Sequence, residues 1–369
     1  MNPIPSLTRR RFIGQLSVGA AALALSHRLS AVETVAPKKL GVALVGLGTY
    51  ATHQLAPALT RTTLCRLAGV VTGSREKGQK WAQQYGFPEQ SIYSYDTMAQ
   101  MANNPDIDIV YVVTPNSLHS EHVIAAAKAG KHVISEKPFT STVAQAEAAL
   151  AACRAAGVKL SIGYRLHFDP YHQEMMRLAR DPAFGGFIKG NGNFSFTMGR
   201  KVWRAEKKLA GGGPIMDLGV YLIQGACMAA GGMAPIAVTA KEGPKTRPDM
   251  FTDVEETMNF RLEFANGFTF DGGTSYQQNF NEIQADGRKG FIQIKPAFGY
   301  GGMNCITQDG PLKLTPPASH QALQMDDFAA CVQAGRESKI PGEMGLRDMK
   351  VIEAIYEAAA SGKRVDIKA

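Results

Sequence analysis

The sequence predicts an α/β protein: a doubly wound parallel domain followed by an α+β domain with a large, predominantly antiparallel open sheet. Three observations predict it. Strand-like apolar runs alternate with helical stretches between residues 40 and 163, and the first of those runs ends in a Gly-x-Gly turn. From about residue 185 the rhythm changes to strands that follow one another with turns between them.

Leu40–Gly46 (LGVALVG) is a continuous apolar run ending in glycine, the pattern of a strand covered on both faces. Leu67–Thr72, Ile109–Val113, His132–Ile134 and Val158–Gly163 repeat the type. Ala-rich or amphipathic stretches near 50–60, 75–85, 95–103, 117–129 and 142–156 read as the intervening helices. Several stop at a glycine (Gly86, Gly130, Gly157), a residue suited to the turn past a helix end. Such alternation defines a doubly wound sheet. Beyond it, Phe187–Phe196, Pro235–Lys241, Glu255–Phe264, Phe268–Ser275, Glu282–Ala285 and Phe291–Lys295 read as strands. Ala265-Asn266-Gly267-Phe268 and Ala285-Asp286-Gly287-Arg288 read as hairpin turns. Strands in direct succession imply antiparallel pairing. Helices are expected from Gly213 to about Ala230 and over roughly 320–335 and 345–360.

Ahead of the first strand, Thr8-Arg9-Arg10-Arg11-Phe12-Ile13-Gly14 precedes a mild apolar stretch, Ile13 to Leu25, and small residues at Ala24, Ser26 and Ala31. This is the order of an export signal, and the arginine pair points to the twin-arginine (Tat) translocase, which carries folded proteins to the periplasm. The apolar stretch is too short and weak to span the ~20 residues of a bilayer, and no stable membrane association is expected. The expected division is therefore a signal over 1–31, a short arm over 32–39, the dinucleotide-type domain over 40–163 and the second domain with its C-terminal helices over 164–369.

Composition narrows the function. Hydrophobic residues make up 45% and charged residues 20% of 369, which excludes disordered and fibrous classes. There are 40 Lys+Arg against 32 Asp+Glu, but four of the arginines lie in the first 31 residues. That leaves 36 basic against 32 acidic residues with no basic run, so nucleic acid is not an expected partner. The 5 cysteines are widely spaced and never form CxxC, so they read as buried thiols. His119 and His122 lack a companion set of ligands, and no metal site is expected. Trp81 reads as core.

Gly46-Leu47-Gly48-Thr49-Tyr50-Ala51 has the strand before it and the helix after it that a Rossmann dinucleotide turn requires. The first glycine makes the turn, and the second lets the backbone approach a pyrophosphate at the helix N-terminus. The second strand ends in Val71-Thr72-Gly73-Ser74-Arg75, without the acidic residue that holds the ribose hydroxyl of NAD. Ser74 and Arg75, with Lys77 close behind, suit the 2′-phosphate of NADP instead.

Ligands of an open α/β sheet sit beyond the carboxyl ends of its strands. That rule selects Thr114-Pro115-Asn116, Glu136-Lys137-Pro138 and Tyr164-Arg165. Asp217 and Tyr221, four apart on a predicted helix, share a face. Oxidising an alcohol needs a hydride acceptor, a base for the hydroxyl proton and a positive charge. A lysine beside a tyrosine eases loss of the phenolic proton, so Lys137 and Tyr221 form a workable acid–base unit, with Asp217 orienting hydroxyls. His167 and His172, which follow Arg165, either line the same pocket or cap a turn.

These motifs resemble the glucose–fructose oxidoreductase branch of the Gfo/Idh/MocA superfamily over the length from GLGTYA at 46–51 to the closing PGEMGLRDMKVIEAIYEAAASGKRV. TPNSLH at 114–119, AGKHVISEKP at 129–138, GYRLHFDPYH at 163–172 and LAGGGPIMDLGVYLIQG at 209–225 carry the resemblance, with Tyr221 where many relatives have histidine. It implies a cis peptide before Pro138, catalytic roles for Lys137, Asp217 and Tyr221, and cofactor contacts from Gly46, Gly48, Ser74 and Arg75. Thr49, Tyr50, Lys77 and Thr114 join the expected cofactor set. Asn116, His119, Glu136 and Arg165 are expected to line the site, and Tyr300 resembles a substrate-pocket tyrosine. The implied activity is NADP-dependent oxidation of an aldose at C1 to its lactone, with a second sugar reoxidising a tightly bound cofactor, in a homodimer or homotetramer whose second sheet serves substrate binding and dimerisation. A short arm here, where the glucose–fructose enzyme has a long one, leaves a sugar or polyol dehydrogenase with dissociable NAD(P) as the alternative. Less favoured are an NAD-dependent glycosidase and a sugar-binding protein with a structural dinucleotide.

Overall fold

The computed structural model describes residues 38–368. The expected export signal and all but the end of the short arm lie outside the described residues. The first sheet holds β1 (Leu40–Val45), β2 (Cys65–Val71), β3 (Ile92–Tyr93), β4 (Ile109–Val112), β5 (His132–Ser135) and β6 (Leu160–Ile162). Their order is β3-β2-β1-β4-β5-β6, and every pairing is parallel. Because β1 lies between β2 and β4, the winding reverses beside it. This is the crevice where such sheets take ligands.

Four helices accompany these strands: α1 (Ala56–Leu59), α2 (Arg75–Tyr85), α3 (His119–Lys128) and α4 (Val143–Ala155). The helix expected at 50–60 contains a π-helical turn, Ala51–Leu55, ahead of α1. The stretch at 95–103 is a 3₁₀ helix, Tyr95–Asn103, rather than an α-helix. Its buried residues are Met98 and Met101, three apart, a spacing that 3₁₀ geometry stacks on one side. The two-residue β3 owes its existence to pairing with the end of β2, where Val70 meets Ile92 and Val71 meets Tyr93. No local pattern announces so short a strand.

Next come α5 (Pro170–Arg180), β7 (Phe187–Ser195), α6 (Lys207–Ala210) and α7 (Val220–Ala229). The strands β8 (Pro235–Glu242), β9 (Thr257–Phe264), β10 (Thr269–Ser275), β11 (Phe280–Gly287), β12 (Phe291–Ile294), β13 (Cys305–Thr307) and β14 (Gly310–Leu312) follow. The chain closes with α8 (His320–Gln333), α9 (Gly342–Ser361) and β15 (Val365–Asp366). The second sheet runs β14-β13-β12-β11-β7-β10-β9-β8-β15. Only β7–β10 is parallel, so the sheet is predominantly antiparallel. The hairpin at Gly267 stands where expected, with that residue at φ +84°. The next turn spans Gly287 to Gly290, two residues later than expected, because β11 continues through Asp286 opposite Phe291.

Asp169 starts α5, accepting from the backbone N–H of Tyr171 at 3.1 Å and of His172 at 3.0 Å, with Pro170 in the first turn. The late helix α8 returns to the first sheet: Ala322, Met325, Phe328 and Ala329 share a core with Val42, Leu44 and Val70. Burying a side chain such as Phe328 contributes roughly 1.5–3 kcal/mol, so the far end of the chain helps hold the first sheet. Trp81 is in the same core, and all five cysteines are free and buried. Among the described residues no helix is long and apolar enough to cross a membrane, and no group of three or more His, Cys, Asp or Glu is placed to hold a metal.

Candidate active site

Gly46 takes φ +95° at the end of β1, a backbone conformation that disfavours any other residue. A side chain there would also press within 3.0 Å of the Thr114 methyl after β4, so the turn and the switch point are packed together. By contrast, nothing lies within 4 Å of the position a Gly48 side chain would take. The helical run that begins at Thr49 opens onto that free space, and its first amides have no partner within the helix. Those features fit a dinucleotide diphosphate. Thr49 is exposed at the same opening, whereas Tyr50 is half-buried and lines the cavity described below. The Tyr50 hydroxyl accepts from Gln321 Nε2 at 3.3 Å, and burial raises its pKa.

At the end of β2, the Ser74 side chain caps α2 by accepting from Lys77 N at 3.2 Å. Lys77 reaches back from α2 and donates its ammonium to the carbonyl of Leu47 inside the glycine turn. Arg75 behaves differently: it is exposed and pairs with Glu89 Oε2 at 3.6 Å. Of the two cations expected there, Lys77 is thus the one already held against the cofactor turn.

The loops after β4, β5 and β6 enclose, with β7 and α7, a cavity of about 350 Å³. It brings together Lys137, Asp217, Tyr221, Arg165, Glu136 and Tyr300. The Lys137–Pro138 peptide is cis, as the resemblance implies. Lys137 Nζ donates to the backbone carbonyl of Asp217 at 2.8 Å, lies 3.7 Å from the Asp217 carboxylate, and stands 4.5 Å from the centre of the Tyr221 ring. Asp217 lies in a π-helical turn, Ile215–Gly219, and not in the regular α-helix its spacing suggested; α7 begins at the next residue. Both Asp217 and Tyr221 still line the cavity.

Arg165 is buried and donates to the carbonyls of Phe298 at 2.6 Å and Gly299 at 2.8 Å. Its guanidinium lies 4.6 Å from the Tyr300 ring centre and 5.3 Å from that of Tyr221. Arg165 Nε is buried without a hydrogen-bond partner in the protein. Tyr300 is 55% exposed at the rim.

Asn116, His119 and Glu136 also line the cavity, as expected, and each in addition fastens one of its loops. The His119 ring nitrogens lie 2.8 Å from the carbonyl of Thr114 and 2.9 Å from that of Pro138, and burial pushes its pKa down to about 4. His119 therefore sits between the loop after β4 and the one carrying Lys137, where the neutral ring can donate to one of the two carbonyls, and both ring nitrogens face backbone oxygens. Asn116 donates to the carbonyl of Ala210 at 2.8 Å, joining the first sheet's loop to α6. Glu136 accepts from the Tyr111 hydroxyl at 2.7 Å and from Lys137 N at 3.1 Å, and burial raises its pKa. His167 and His172 lie outside this cavity: His167 bonds Gln224 Oε1 at 3.0 Å, and His172 bonds Asp169 Oδ1 at 2.7 Å.

Sequence reasoning missed Arg204, Trp203 and Tyr276. Arg204 Nε lies 3.1 Å from Asp217 Oδ2, and the Tyr276 hydroxyl donates to the same oxygen at 3.2 Å. Asp217 is thereby held between Lys137 and Arg204. Arg204 also covers the Trp203 ring at 4.5 Å. The adjacent Trp-Arg pair was the available signal, but nothing in its spacing tied it to Asp217.

A parallel sheet with a glycine turn at its switch point, facing a lysine–tyrosine–aspartate cluster, defines an NAD(P)-binding Rossmann oxidoreductase. Residues 40–164 match the oxidoreductase family with an NAD-binding Rossmann fold (GFO/IDH/MocA), and residues 172–293 match the GFO/IDH/MocA C-terminal domain. The chain belongs to the Gfo/Idh/MocA oxidoreductase family. It is 42% identical to aldose-aldose oxidoreductase from Caulobacter crescentus, solved with glycerol, covering 89% of this chain and 100% of that one with a TM-score of 0.86. It is 28% identical to D-xylose 1-dehydrogenase [NADP(+)] of Haloarcula marismortui, over 90% of this chain and 94% of the relative. It is also 28% identical to trans-1,2-dihydrobenzene-1,2-diol dehydrogenase of Xenopus laevis, over 80% of this chain and 88% of the relative.

Proposed function

We propose that the protein is an NADP-dependent aldose oxidoreductase that oxidises one sugar at C1 to its lactone and reduces a second, exported in the folded state to the periplasm. The observation that carries the chemistry is the meeting of Lys137, Tyr221 and Asp217 at the mouth of the Rossmann switch point. Similarity to an aldose-aldose oxidoreductase and to an NADP-dependent xylose dehydrogenase supports a sugar substrate. Lys77 at the glycine turn, with Ser74 and without a carboxylate among residues 72–75, supports NADP. The exposed Ile188, Ile236, Phe280 and Ile306 of the second sheet support self-association.

The dinucleotide supplies the hydride acceptor for the first sugar and the donor for the second. Gly46 to Ala51 would hold its diphosphate, and Ser74 and Lys77, with Arg75 nearby, its 2′-phosphate. Asp217, oriented by Tyr276 and Arg204, accepts sugar hydroxyls. As the phenolate, Tyr221 takes the C1 hydroxyl proton and becomes the phenol, while Lys137 places its positive charge against that ring and stabilises the charge that develops. Aromatic walls from Phe194, Phe196, Trp203 and Phe298 limit water around the reacting carbon.

The dehydrogenase with dissociable cofactor is the second reading, favoured by the eight residues that separate the expected signal from β1. Mass spectrometry of the purified protein and near-ultraviolet absorbance after adding an aldose separate the two. Bound NADP that is reduced by one sugar and reoxidised by another supports the oxidoreductase. Protein that purifies empty and releases NADPH supports the dehydrogenase, and no reduction with any aldose refutes both.

A further inference from the structure

Gly211-Gly212-Gly213-Pro214 leads into the π-helical turn that carries Asp217 and then into α7, which carries Tyr221. The first amides of this helix need an acceptor from elsewhere. Glu255, two residues before β9, supplies it. Its Oε2 accepts from Gly213 N and its Oε1 from Ile215 N, each at 3.0 Å. The Tyr356 hydroxyl, from α9, donates to the same carboxylate at 3.1 Å and 3.2 Å.

The triglycine run makes room for this arrangement. A side chain at Gly212 would stand 1.9 Å from the Tyr356 hydroxyl oxygen, and one at Gly213 would stand 2.2 Å from the Glu255 carbonyl oxygen. Glu255 is buried, and its pKa is raised by that burial. Its negative charge is held by two backbone amides at a helix start and by one phenol. The same turn offers the Asp217 carbonyl to Lys137 Nζ. Both halves of the catalytic cluster therefore depend on where this helix begins.

We propose that Glu255 is a positioning residue for the reaction: it anchors the start of the catalytic helix so that Asp217 and Tyr221 meet Lys137 across the cavity. This rests on the oxidoreductase reading above. Glu255→Gln keeps the size but replaces one carboxylate oxygen with an NH₂ that cannot accept from an amide. A charge-assisted bond lost from the aligned state should lower kcat about tenfold or more. Dinucleotide Kd should stay within about twofold, because the glycine turn and Lys77 belong to the first sheet, and amide exchange over 211–221 should quicken. Glu255→Asp, which retains the charge, should recover part of the loss, and Tyr356→Phe should cost about two- to fivefold because it removes one of three donors.

Faster exchange or a lower Tm with wild-type kcat would make Glu255 a structural staple only and overturn the proposal. Should Glu255→Gln fail to fold, wild-type kcat in both folded Tyr356→Phe and Glu255→Asp overturns it equally. A wild-type protein that turns over no sugar removes the underlying reading instead, a failure visible before any variant is made.

Discussion

Replacing Tyr221 by phenylalanine removes one oxygen and leaves the ring in place. That ring packs edge-on to Phe194 at 5.4 Å and beside Phe298 at 6.0 Å, with Lys137 Nζ at 4.5 Å and the Arg165 guanidinium at 5.3 Å. Phenylalanine keeps each of these contacts, so stability should change by no more than about 1.5 kcal/mol, the net value of a single hydrogen bond. Dinucleotide affinity should hold, since the diphosphate turn is at Gly46 to Ala51. The chemical step should not survive: general acid–base catalysis contributes ~10²–10⁴-fold, or about 3–5 kcal/mol of barrier. Single-turnover reduction of enzyme-bound NADP by an aldose reads this directly. Lys137→Met should cost a comparable factor. It leaves Asp217 paired with Arg204 and bonded to Tyr276, so it creates no unpaired buried charge. The double variant should lose little more than either alone, because groups that act as one unit are not additive. Near-normal single-turnover rates in Tyr221→Phe with cofactor bound would refute this assignment of the proton carrier.

Lys77→Met should weaken NADP by ~10–100-fold and NAD little, while Arg75→Ala should cost less because Glu89 already engages that guanidinium; titration calorimetry with both dinucleotides tests the order. His119 and His167, both pushed down to about 4 by burial, stay neutral in the fold near pH 5. The unfolded chain binds those protons below about pH 6.5, so these groups make stability fall as pH drops from 7 towards 4. Glu136 and Glu255, raised by burial, act in the opposite sense but alike in wild type and variant. Denaturant titrations at pH 7 and pH 5 should therefore show His167→Gln losing about 2 kcal/mol less than wild type over that interval, and equal losses would place His167 elsewhere. Replacing Arg9 and Arg10 with lysine should strand folded precursor in the cytoplasm, whereas unchanged periplasmic delivery on fractionation would assign export to another route.

The parts of the fold that were legible in the sequence are those set by local pattern. Apolar runs such as LGVALVG at 40–46 became central strands because a strand covered on both faces needs little else. Gly46, Lys137, Asp217 and Tyr221 were found because each follows a strand end or shares a helix face. What escaped depends on partners far away in sequence. β3 exists only against β2, β15 only against β8, and the placement of α8 in the first core follows from tertiary packing. The same holds within the site. Arg204 acquires meaning only beside Asp217, and His119 only between two loop carbonyls. Arg75 looked the stronger phosphate reader until Glu89, fourteen residues on, proved to engage it.

Transfer of a labelled hydrogen tests the central claim most directly. An aldose carrying deuterium at C1 is mixed with the protein and NADP, and a second, unlabelled sugar is then added. Lactone free of deuterium, label in the reduced nicotinamide, and label in the reduced second sugar are the results expected of an aldose oxidoreductase built on Lys137, Tyr221 and Asp217. Deuterium retained in the first sugar, with the dinucleotide bound and unreduced, would contradict it.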